Sequence, residues 1–381
     1  MVRVCVRSGV VALFLLAALA SVARAQAVVP VPVPPTEPPP AAPPAPAPAA
    51  PAPQAAAATS SKVFNPDISV IGNFLAVAGK NPVSPSPSLS LTEAEVSFQA
   101  VIDPYATASF YIGVSPEGAE LEEGYATFTA LPGNLLLKVG KMRAQFGKVN
   151  TLHTHAVPYT DRPLVTENLV GGEEGLSDSG LSLSHLIQMP AIFLEAIAEV
   201  YQGNSSVFQT SERSRLNYVG RLRAYRDITE ASNLDVGASI TRGPTDLGAD
   251  LNKRLVGVDV TFRYRPLRRA IYRRLNLRTE LIWSRQDLPG ALHARAFGFY
   301  GLGEYQFARR WYVGARVDRS GRALEADATD TGGSFLLTFW PTEFSLIRGQ
   351  FRHIKYAEGH RGNEVLFQLS FSIGAHGAHV F

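Results

Sequence analysis

The amino-acid sequence predicts an all-β protein, a transmembrane antiparallel β-barrel of about 16 strands. Three observations predict this fold. Polar and apolar residues alternate with a period of two from residue 64 onwards, interrupted by turn residues roughly every 20 positions. The chain opens on a secretory leader and closes on an apolar strand that ends at Phe381. No stretch approaches the roughly 18 consecutive apolar residues that a membrane-spanning helix needs.

Residues 1–25 have the three parts of a cleaved signal peptide. Arg3 and Arg7 precede the apolar residues 10–19, and the sequence Ala-Arg-Ala at residues 23–25 is typical of a cleavage site. About 11 apolar residues are too few to cross a membrane as a helix. Cys5, the single cysteine, lies in this leader. We therefore expect the exported chain to have neither a disulfide nor a thiolate metal site.

Residues 26–63 form a segment dominated by proline and alanine, with 13 of the 27 prolines between Pro30 and Pro53. This composition cannot build a core and favours an extended polyproline II spacer. We interpret it as a disordered periplasmic linker. The alternative is a periplasmic arm that contacts peptidoglycan or another protein.

The predicted barrel occupies residues 64–381. Its strands, in order, are 68–79, 89–102, 105–114, 120–130, 135–146, 179–186, 191–202, 215–226, 233–242, 253–265, 272–286, 294–305, 311–320, 331–340, 344–356 and 363–381. An even number of strands places both chain ends on one side, the periplasm, where the connections should be short. The longest connection, residues 147–178, is then the third extracellular loop. Long loops of this kind are usually functional, and we expect this one to fold into the lumen.

The alternation also assigns charged side chains to the lumen. In strand 253–265, for example, Asp259 and Arg263 lie on the face opposite Val258 and Phe262. Eight arginines and eight carboxylates are assigned inward: Arg215, Arg221, Arg223, Arg263, Arg278, Arg316, Arg348 and Arg352, with Glu93, Glu95, Glu195, Glu199, Asp259, Glu280, Glu304 and Asp318. This balance does not predict a basic funnel for anions.

The inward charges are unevenly distributed along the sequence. Acids concentrate in strands 89–102 and 191–202, and arginines in strands 215–226 and 344–356. One interpretation is a pore with opposing walls of unlike charge, whose transverse field would favour polar solutes. The other is that the charges pair across neighbouring strands and stiffen the wall.

Other function classes find little support in the sequence. A formal charge of +3 on 381 residues is too small to indicate a nucleic-acid partner. The motifs G-x-S-x-G and H-E-x-x-H and a phosphate-cradling loop are absent from the sequence. We therefore expect a protein that is not an enzyme and needs no cofactor.

The long loop and the nearby strands supply the candidate pore residues. Lys141, Arg143 and Lys148 stand where the fifth strand meets the loop. His153 and His155 are two residues apart, so both rings project to the same side of an extended segment. The full candidate set is Lys141, Arg143, Lys148, His153, His155, Asp161, Arg162, Glu173, Glu174, Arg221, Arg223, Arg263, Glu93 and Glu95.

The two histidines also raise the question of a metal site. Histidine with carboxylates such as Asp161, Glu173 and Glu174 can bind zinc or another divalent ion. Without a third ligand at a defined spacing, however, the pair does not establish a metal site. The other interpretation is that His153 and His155 pack the loop against the barrel.

Several segments resemble those of a known family. They are Phe64-Asn65-Pro66-Asp67-Ile68-Ser69, Gly140-Lys141-Met142-Arg143-Ala144-Gln145-Phe146-Gly147, Leu152-His153-Thr154-His155, Asp161-Arg162-Pro163 and Ser372-Ile373-Gly374-Ala375-His376. The chain from 64 to 381 is similar in these motifs to the phosphate-selective porin O and P superfamily. The resemblance implies a sixteen-stranded barrel, commonly trimeric, that passes small solutes. Met142 replaces an aromatic residue of the family motif, and Ala144-Gln145 replaces its proline-containing link.

Together these features predict an outer-membrane porin for passive diffusion of small hydrophilic solutes. The alternatives are an uptake channel for a phosphate-like anion or a metal ion, and a closed barrel that tethers the envelope. The expected partners are outer-membrane lipid and lipopolysaccharide, the barrel-assembly machinery through the last strand, and two further copies in a homotrimer.

Overall fold

The structure is a computed structural model that describes residues 66–115, 118–248, 250–325 and 327–374. The predicted signal peptide, the Pro/Ala linker and the terminal Phe381 lie outside these residues, so the predictions about them stay predictions. Within the described ranges, no helix combines the length and apolar character needed to cross a membrane.

Sixteen antiparallel strands form one closed barrel in the described chain. They are β1 Asp67–Lys80, β2 Leu89–Asp103, β3 Ala106–Ser115, β4 Gly118–Leu131, β5 Leu135–Arg143, β6 Ser177–Gln188, β7 Phe193–Tyr201, β8 Asn217–Thr229, β9 Ser232–Pro244, β10 Asn252–Tyr264, β11 Arg274–Leu288, β12 Leu292–Ala308, β13 Trp311–Gly321, β14 Thr329–Thr342, β15 Ser345–Lys355 and β16 Arg361–Gly374. Each strand pairs with its neighbours in sequence, and β1 closes the barrel on β16, with Asn73 opposite Ser370. The predicted fold class is confirmed.

The two faces of the wall differ as the alternation predicts. On β16, the side chains of Val365, Phe367 and Ile373 are exposed outward. Glu364 and Gln368 are buried on the inner face. An apolar outer surface around a polar interior is the arrangement of a barrel that faces lipid.

The predicted long loop is real, but its bounds are shifted. It spans residues 144–176, and we call it L3. The fifth strand ends at Arg143, three residues before its predicted end. The reason is that the next backbone amides leave the wall: Ala144 N–H binds the carbonyl of Leu176 at 2.7 Å, and Gln145 N–H binds the Glu199 carboxylate at 2.8 Å.

L3 folds into the barrel and carries an apolar core with it. Its buried side chains pack against apolar residues on the inner faces of β5 to β14. From L3 the core residues are Ala144, Phe146, Val149, Val157, Tyr159, Val165, Leu169, Val170 and Leu176; from the wall they are Met142, Tyr201, Val219, Leu255, Ile282, Tyr300, Leu302 and Leu336, and Phe208 comes from the loop before β8. Because this cluster lies inside the wall, burial of apolar surface holds L3 there.

One α-helix, α1, lies within L3 at Leu164–Val170, after a short 3-10 helix at Thr154–Ala156. Pro163 fixes the chain direction before it, and Gly171 ends it in the left-handed region at φ 90°, which glycine adopts without strain. The inner face of β12 has room for the helix because residue 298 is a glycine. A Cβ at Gly298 would lie only 2.7 Å from the Val165 side chain.

Replacing Gly298 with leucine should therefore push α1 away from the wall. We expect trypsin to cut the refolded Gly298→Leu variant after Lys148 in L3 at least tenfold faster than the wild type, with the new fragment measured by mass spectrometry. The matched control is Gly349→Leu, since a Cβ at Gly349 meets no atom within 4 Å. Equal cleavage rates in wild type and Gly298→Leu would contradict this account of the packing.

Candidate functional site

L3 is fixed on one side by a shared carboxylate. Asp161 accepts hydrogen bonds from Arg316 of β13 at 2.9 Å and from Arg352 of β15 at 3.1 Å, and Gln350 also donates to it. Arg316 is 2% exposed and also binds Asp318 at 2.8 Å. Burial alone would raise the pKa of Asp161, but the two guanidinium groups outweigh it and hold the pKa below its usual range. Asp161 is therefore ionised and joins L3 to the wall.

A second set of contacts holds the start of L3. The carbonyl of Gly147 accepts a 2.6 Å hydrogen bond from Arg221 of β8. The backbone amides of Lys148 and Val149 donate to the Glu280 carboxylate of β11, and the Lys148 ammonium lies 3.3 Å from Asp235 of β9. These wall charges thus pair with the loop rather than line an empty pore.

The third set of contacts faces an acidic wall. Glu93 and Glu95 of β2 and Glu122 and Glu123 of β4 converge on His153 of L3. The last two are adjacent in sequence, yet both reach the imidazole. The pairing of β3 with β4 shifts register between Tyr111 and Ile112, which leaves Glu122 as an extra residue in β4. A β-bulge of this kind re-aims side chains, and it turns both carboxylates inward.

His153 contacts the carboxylates through both of its ring nitrogens. Nε2 is 2.7 Å from Glu123, and Nδ1 is 3.1 Å from Glu122 and 2.9 Å from Glu95. Burial alone would lower the pKa of His153, but the hydrogen bonds to Glu122 and Glu123 outweigh it and raise the pKa well above its usual range. The His155 ring stacks on His153 at 5.7 Å, and its Nδ1 lies 3.5 Å from Glu93.

A cavity of about 350 Å³ remains between L3 and the wall. Charged side chains of both signs reach it: Lys138, Arg143 and Arg223, with Glu123, Glu195 and Glu199. Uncharged polar groups, such as those of Ser182 and Ser184, complete much of its lining. The cavity can therefore hold water and a small polar solute.

The structure places most of the predicted site residues at L3. Arg143 donates to the carbonyls of Glu173 and Glu174, and Arg162 donates to the carbonyls of Val149 and Leu152. These two arginines therefore hold L3 in its own fold. Arg223 and Arg263 both approach Asp235 on the wall, at 2.8 and 3.8 Å.

Lys141 does not belong to the constriction, contrary to the prediction. It pairs in register with Gly124 on the outward face, and its ammonium binds Glu120 and the carbonyl of Leu121. Arg215 is likewise misassigned. It lies in the loop before β8 and donates to the carbonyls of Gly248 and Leu251.

The inward arginines pair mainly with nearby acids. Arg221 binds Asp259 at 2.9 Å, and Arg352 binds Glu364 at 2.5 Å. The pairing interpretation thus describes these arginines better than an open basic wall does. The acidic wall of β2 and β4 differs, since the L3 histidines approach it together with a single described arginine, Arg143, whose guanidinium lies 3.4 Å from Glu122.

Four acidic residues were not predicted from the sequence. Glu122 and Glu123 contact His153. Asp235 pairs with Lys148, and Asp330 pairs with Arg322. Asp330 also accepts a hydrogen bond from Asn168 of α1 at 2.9 Å. Asp235 and Asp330 lie on inward positions of the strict alternation, and that signal could have found them.

Comparison with known proteins supports the barrel and leaves the family open. No protein-family profile matches the chain. An uncharacterized protein of Aquifex aeolicus (strain VF5) is 29% identical over 389 aligned positions, which cover 84% of this chain and 81% of the relative. The predicted membership of the phosphate-selective porin superfamily is thus not established.

Solved structures with a similar fold come from several bacteria. An anion-selective porin from Comamonas acidovorans has a TM-score of 0.58 at 9% identity, covering 81% of this chain and 99% of that one. The outer-membrane channel DcaP of Acinetobacter baumannii has a TM-score of 0.55 at 12% identity, with 81% and 96% covered. OmpT of Vibrio cholerae in its trimer form gives 0.55 at 8% identity, with 81% and 99% covered. The fold is that of bacterial outer-membrane porins.

Asp161→Asn should loosen L3 without opening the barrel. The change leaves Arg316 and Arg352 without their shared carboxylate, and breaking a buried pair of this kind costs roughly 3 kcal/mol. Hydrogen exchange of residues 157–165, measured by mass spectrometry, should accelerate about 100-fold. The control is Asp246→Asn, which changes an exposed carboxylate in the loop between β9 and β10. Unchanged exchange in Asp161→Asn would show that the apolar core alone holds L3.

The docking of α1 should weaken as the pH rises. Desolvation by the surrounding protein raises the pKa of the Glu167 carboxyl to about 7, and the negative charge of nearby Glu173 adds to the rise. Because the pKa of Glu167 is higher in the folded state than in the unfolded state, the folded state binds a proton at this carboxyl more tightly. Its stabilising contribution is complete below about pH 4.5 and is lost as the pH passes 7.

We therefore expect the thermal unfolding midpoint in detergent to fall between pH 5 and pH 8.5 in the wild type and to fall less in Glu167→Gln. Circular dichroism measures both. Glu212→Gln, which changes an exposed carboxylate in the loop before β8, should behave as the wild type. Parallel pH profiles for Glu167→Gln and the wild type would rule out this group as the cause.

Proposed function

We propose that this chain is an outer-membrane channel for passive diffusion of small hydrophilic solutes, narrowed by L3. The observation that carries the proposal is the polar cavity of about 350 Å³ beside L3, inside a closed barrel whose outer surface is apolar. Such a barrel has its apolar surface against lipid and its polar surface around water.

The charges at the cavity support a preference for polar solutes over apolar ones. Lys138, Arg143 and Arg223 face it together with Glu123, Glu195 and Glu199, so both signs are present at close range. A solute with both a positive and a negative group can satisfy such a lining, whereas an apolar solute leaves it unpaired. The balance of charges gives no support for phosphate as the specific substrate.

L3 serves as a fixed constriction in this proposal. Its contacts with β2, β4, β8, β11, β13 and β15 meet the wall on several sides, and its apolar core adds to them. These same contacts favour the second candidate, a barrel that L3 closes and that serves a structural role. Measured conductance separates the two.

Further parts of the proposal concern the surroundings of the barrel. We propose export through the N-terminal leader and insertion through the last strand. A homotrimer is the expected assembly, and one similar structure, that of OmpT from Vibrio cholerae, is described in a trimer form. In this arrangement the Pro/Ala segment extends into the periplasm as a linker.

Single-channel recording of the refolded chain in a planar bilayer tests the proposed function. We expect small, steady, ohmic steps from the wild type. Replacing residues 149–174 by a short glycine–serine linker should raise the unitary conductance several-fold, because it removes α1 and most of the apolar core from the lumen.

The control shortens the loop between β9 and β10, which should leave the conductance unchanged. If the wild type does not conduct and the variant does, L3 closes the barrel and the structural function is correct. If neither conducts, although both show the heat-dependent mobility shift of folded barrels, the lumen is blocked by the wall itself and the channel proposal fails.

A further inference from the structure

The geometry points to a binding site for a divalent transition-metal ion, formed by Glu93, Glu95, Glu122 and His153, which ties L3 to the β2–β4 wall. One ligand atom from each of these four residues lies within 4.8 Å of the other three. The site adds a metal ion to the contacts of L3 already described. It does not depend on whether the barrel conducts.

The ligands come from three separate segments of the chain. Glu93 and Glu95 lie on the same face of β2, Glu122 is the extra residue at the bulge of β4, and His153 comes from L3. One imidazole nitrogen and three carboxylate oxygens form a four-ligand set that suits zinc. In a tetrahedral site with ligands about 2.1 Å from the metal, neighbouring ligand atoms are roughly 3.4 Å apart. The Nδ1 atom of His153 is 3.1 Å from Glu122 and 2.9 Å from Glu95, and no two of the four ligand atoms are more than 4.8 Å apart, so the set is near this spacing.

Glu123 provides a second and separate sign of a metal site. Its carboxylate lies 2.7 Å from Nε2 of His153, on the side of the ring away from the three ligands. A metal-binding histidine usually donates its other ring N–H to a carboxylate, which fixes the tautomer and orients the ring. With the proton on Nε2, the lone pair of Nδ1 points at the carboxylates of Glu95 and Glu122. Glu123 is thus the outer partner that such a ligand requires.

An unsatisfied oxygen in the same cluster points to a cation. Glu93 is 8% exposed, and its Oε2 atom makes no hydrogen bond among the described residues. Glu95 is 2% exposed, and its Oε2 atom lies 2.9 Å from Nδ1 of His153. A buried carboxylate oxygen without a partner is costly, and a metal ion would supply one to Glu93.

The chemistry of the ligands also selects the ion. Ca²⁺ takes six to eight oxygen ligands, and Mg²⁺ keeps several waters, so neither suits a compact set that includes an imidazole. Zn²⁺ accepts one nitrogen and three oxygens in a tetrahedral site, and Mn²⁺ tolerates carboxylate-rich sites. Three carboxylates carry three negative charges, which a dication reduces to one. We therefore expect Zn²⁺ to bind most tightly.

Isothermal titration of ZnCl₂ into the detergent-purified chain tests the site. We expect one equivalent to bind, with the affinity reduced at least 100-fold in Glu95→Gln and in His153→Gln. The matched control is His293→Gln. The Nδ1 atom of His293 lies 3.0 Å from the Asp287 carboxylate, and this similar histidine–carboxylate pair is not part of the cluster. Zinc K-edge absorption of the loaded wild type should show a nitrogen and oxygen shell with one imidazole.

Several results would overturn the site. They are no binding of zinc to the wild type, zinc affinities in Glu95→Gln and His153→Gln that equal the wild-type affinity, and tighter binding of CaCl₂ or MgCl₂ than of ZnCl₂. Each variant must first show the mobility shift of a folded barrel, and His153→Gln, which alters L3 rather than the wall, keeps the test valid if Glu95→Gln does not fold. Because titration needs no conductance, a failed channel proposal and a failed metal site give different results.

Discussion

The need to pair polar side chains inside a closed wall governs the rest of this structure. Closing β1 on β16 sends every second side chain into a confined interior. Arg316, Arg348 and Glu280 are nearly fully buried there, and a buried charge without a partner is strongly destabilising. L3 supplies many of the missing partners: the carboxylate of Asp161, the carbonyl of Val157 and the amides of Lys148 and Val149. The loop and the wall thus complete each other.

The wall could be predicted from sequence because polar and apolar residues alternate along a strand wherever its outer face meets apolar surroundings and its inner face meets a polar interior. All sixteen strands were found, and each boundary lies within three residues of its predicted position, apart from the end of β16 at Gly374, after which the structure describes no residues. The core of L3 was not predicted. Leu255, Ile282 and Leu336 are apolar on the inner face, against the pattern, and they mark where the loop lands. Inward apolar residues near Gly257 and Gly298 were the available signal, since these glycines leave space for Phe146 and Val165.

The candidate site could be predicted only in part, because its contacts depend on register and loop path. Alternation correctly put Glu93 and Glu95 on one face, and the spacing of His153 and His155 brought their rings together. Strict alternation, however, sends adjacent Glu122 and Glu123 to opposite faces. The bulge opposite Tyr111 overrides it, and a bulge leaves no mark in a period-two pattern. The prediction for Lys141 was wrong because it relied on the nearness of this residue to L3 in sequence, which does not determine the face of the strand on which the side chain lies.

The two sides on which L3 is held differ in chemical kind. Toward β13 and β15, Asp161 meets guanidinium groups, whose charge does not change across the physiological range of pH. Toward β2 and β4, carboxylates meet the imidazole of His153, which is charged only when it is protonated and which can bind a metal ion in place of a proton. The contacts near Asp161 therefore keep their charges across that range of pH, whereas those near His153 depend on what occupies the cluster. The occupancy of the β2–β4 cluster is thus one means by which conditions can alter how L3 is held, and the carboxyl of Glu167 on α1, with its raised pKa, is another.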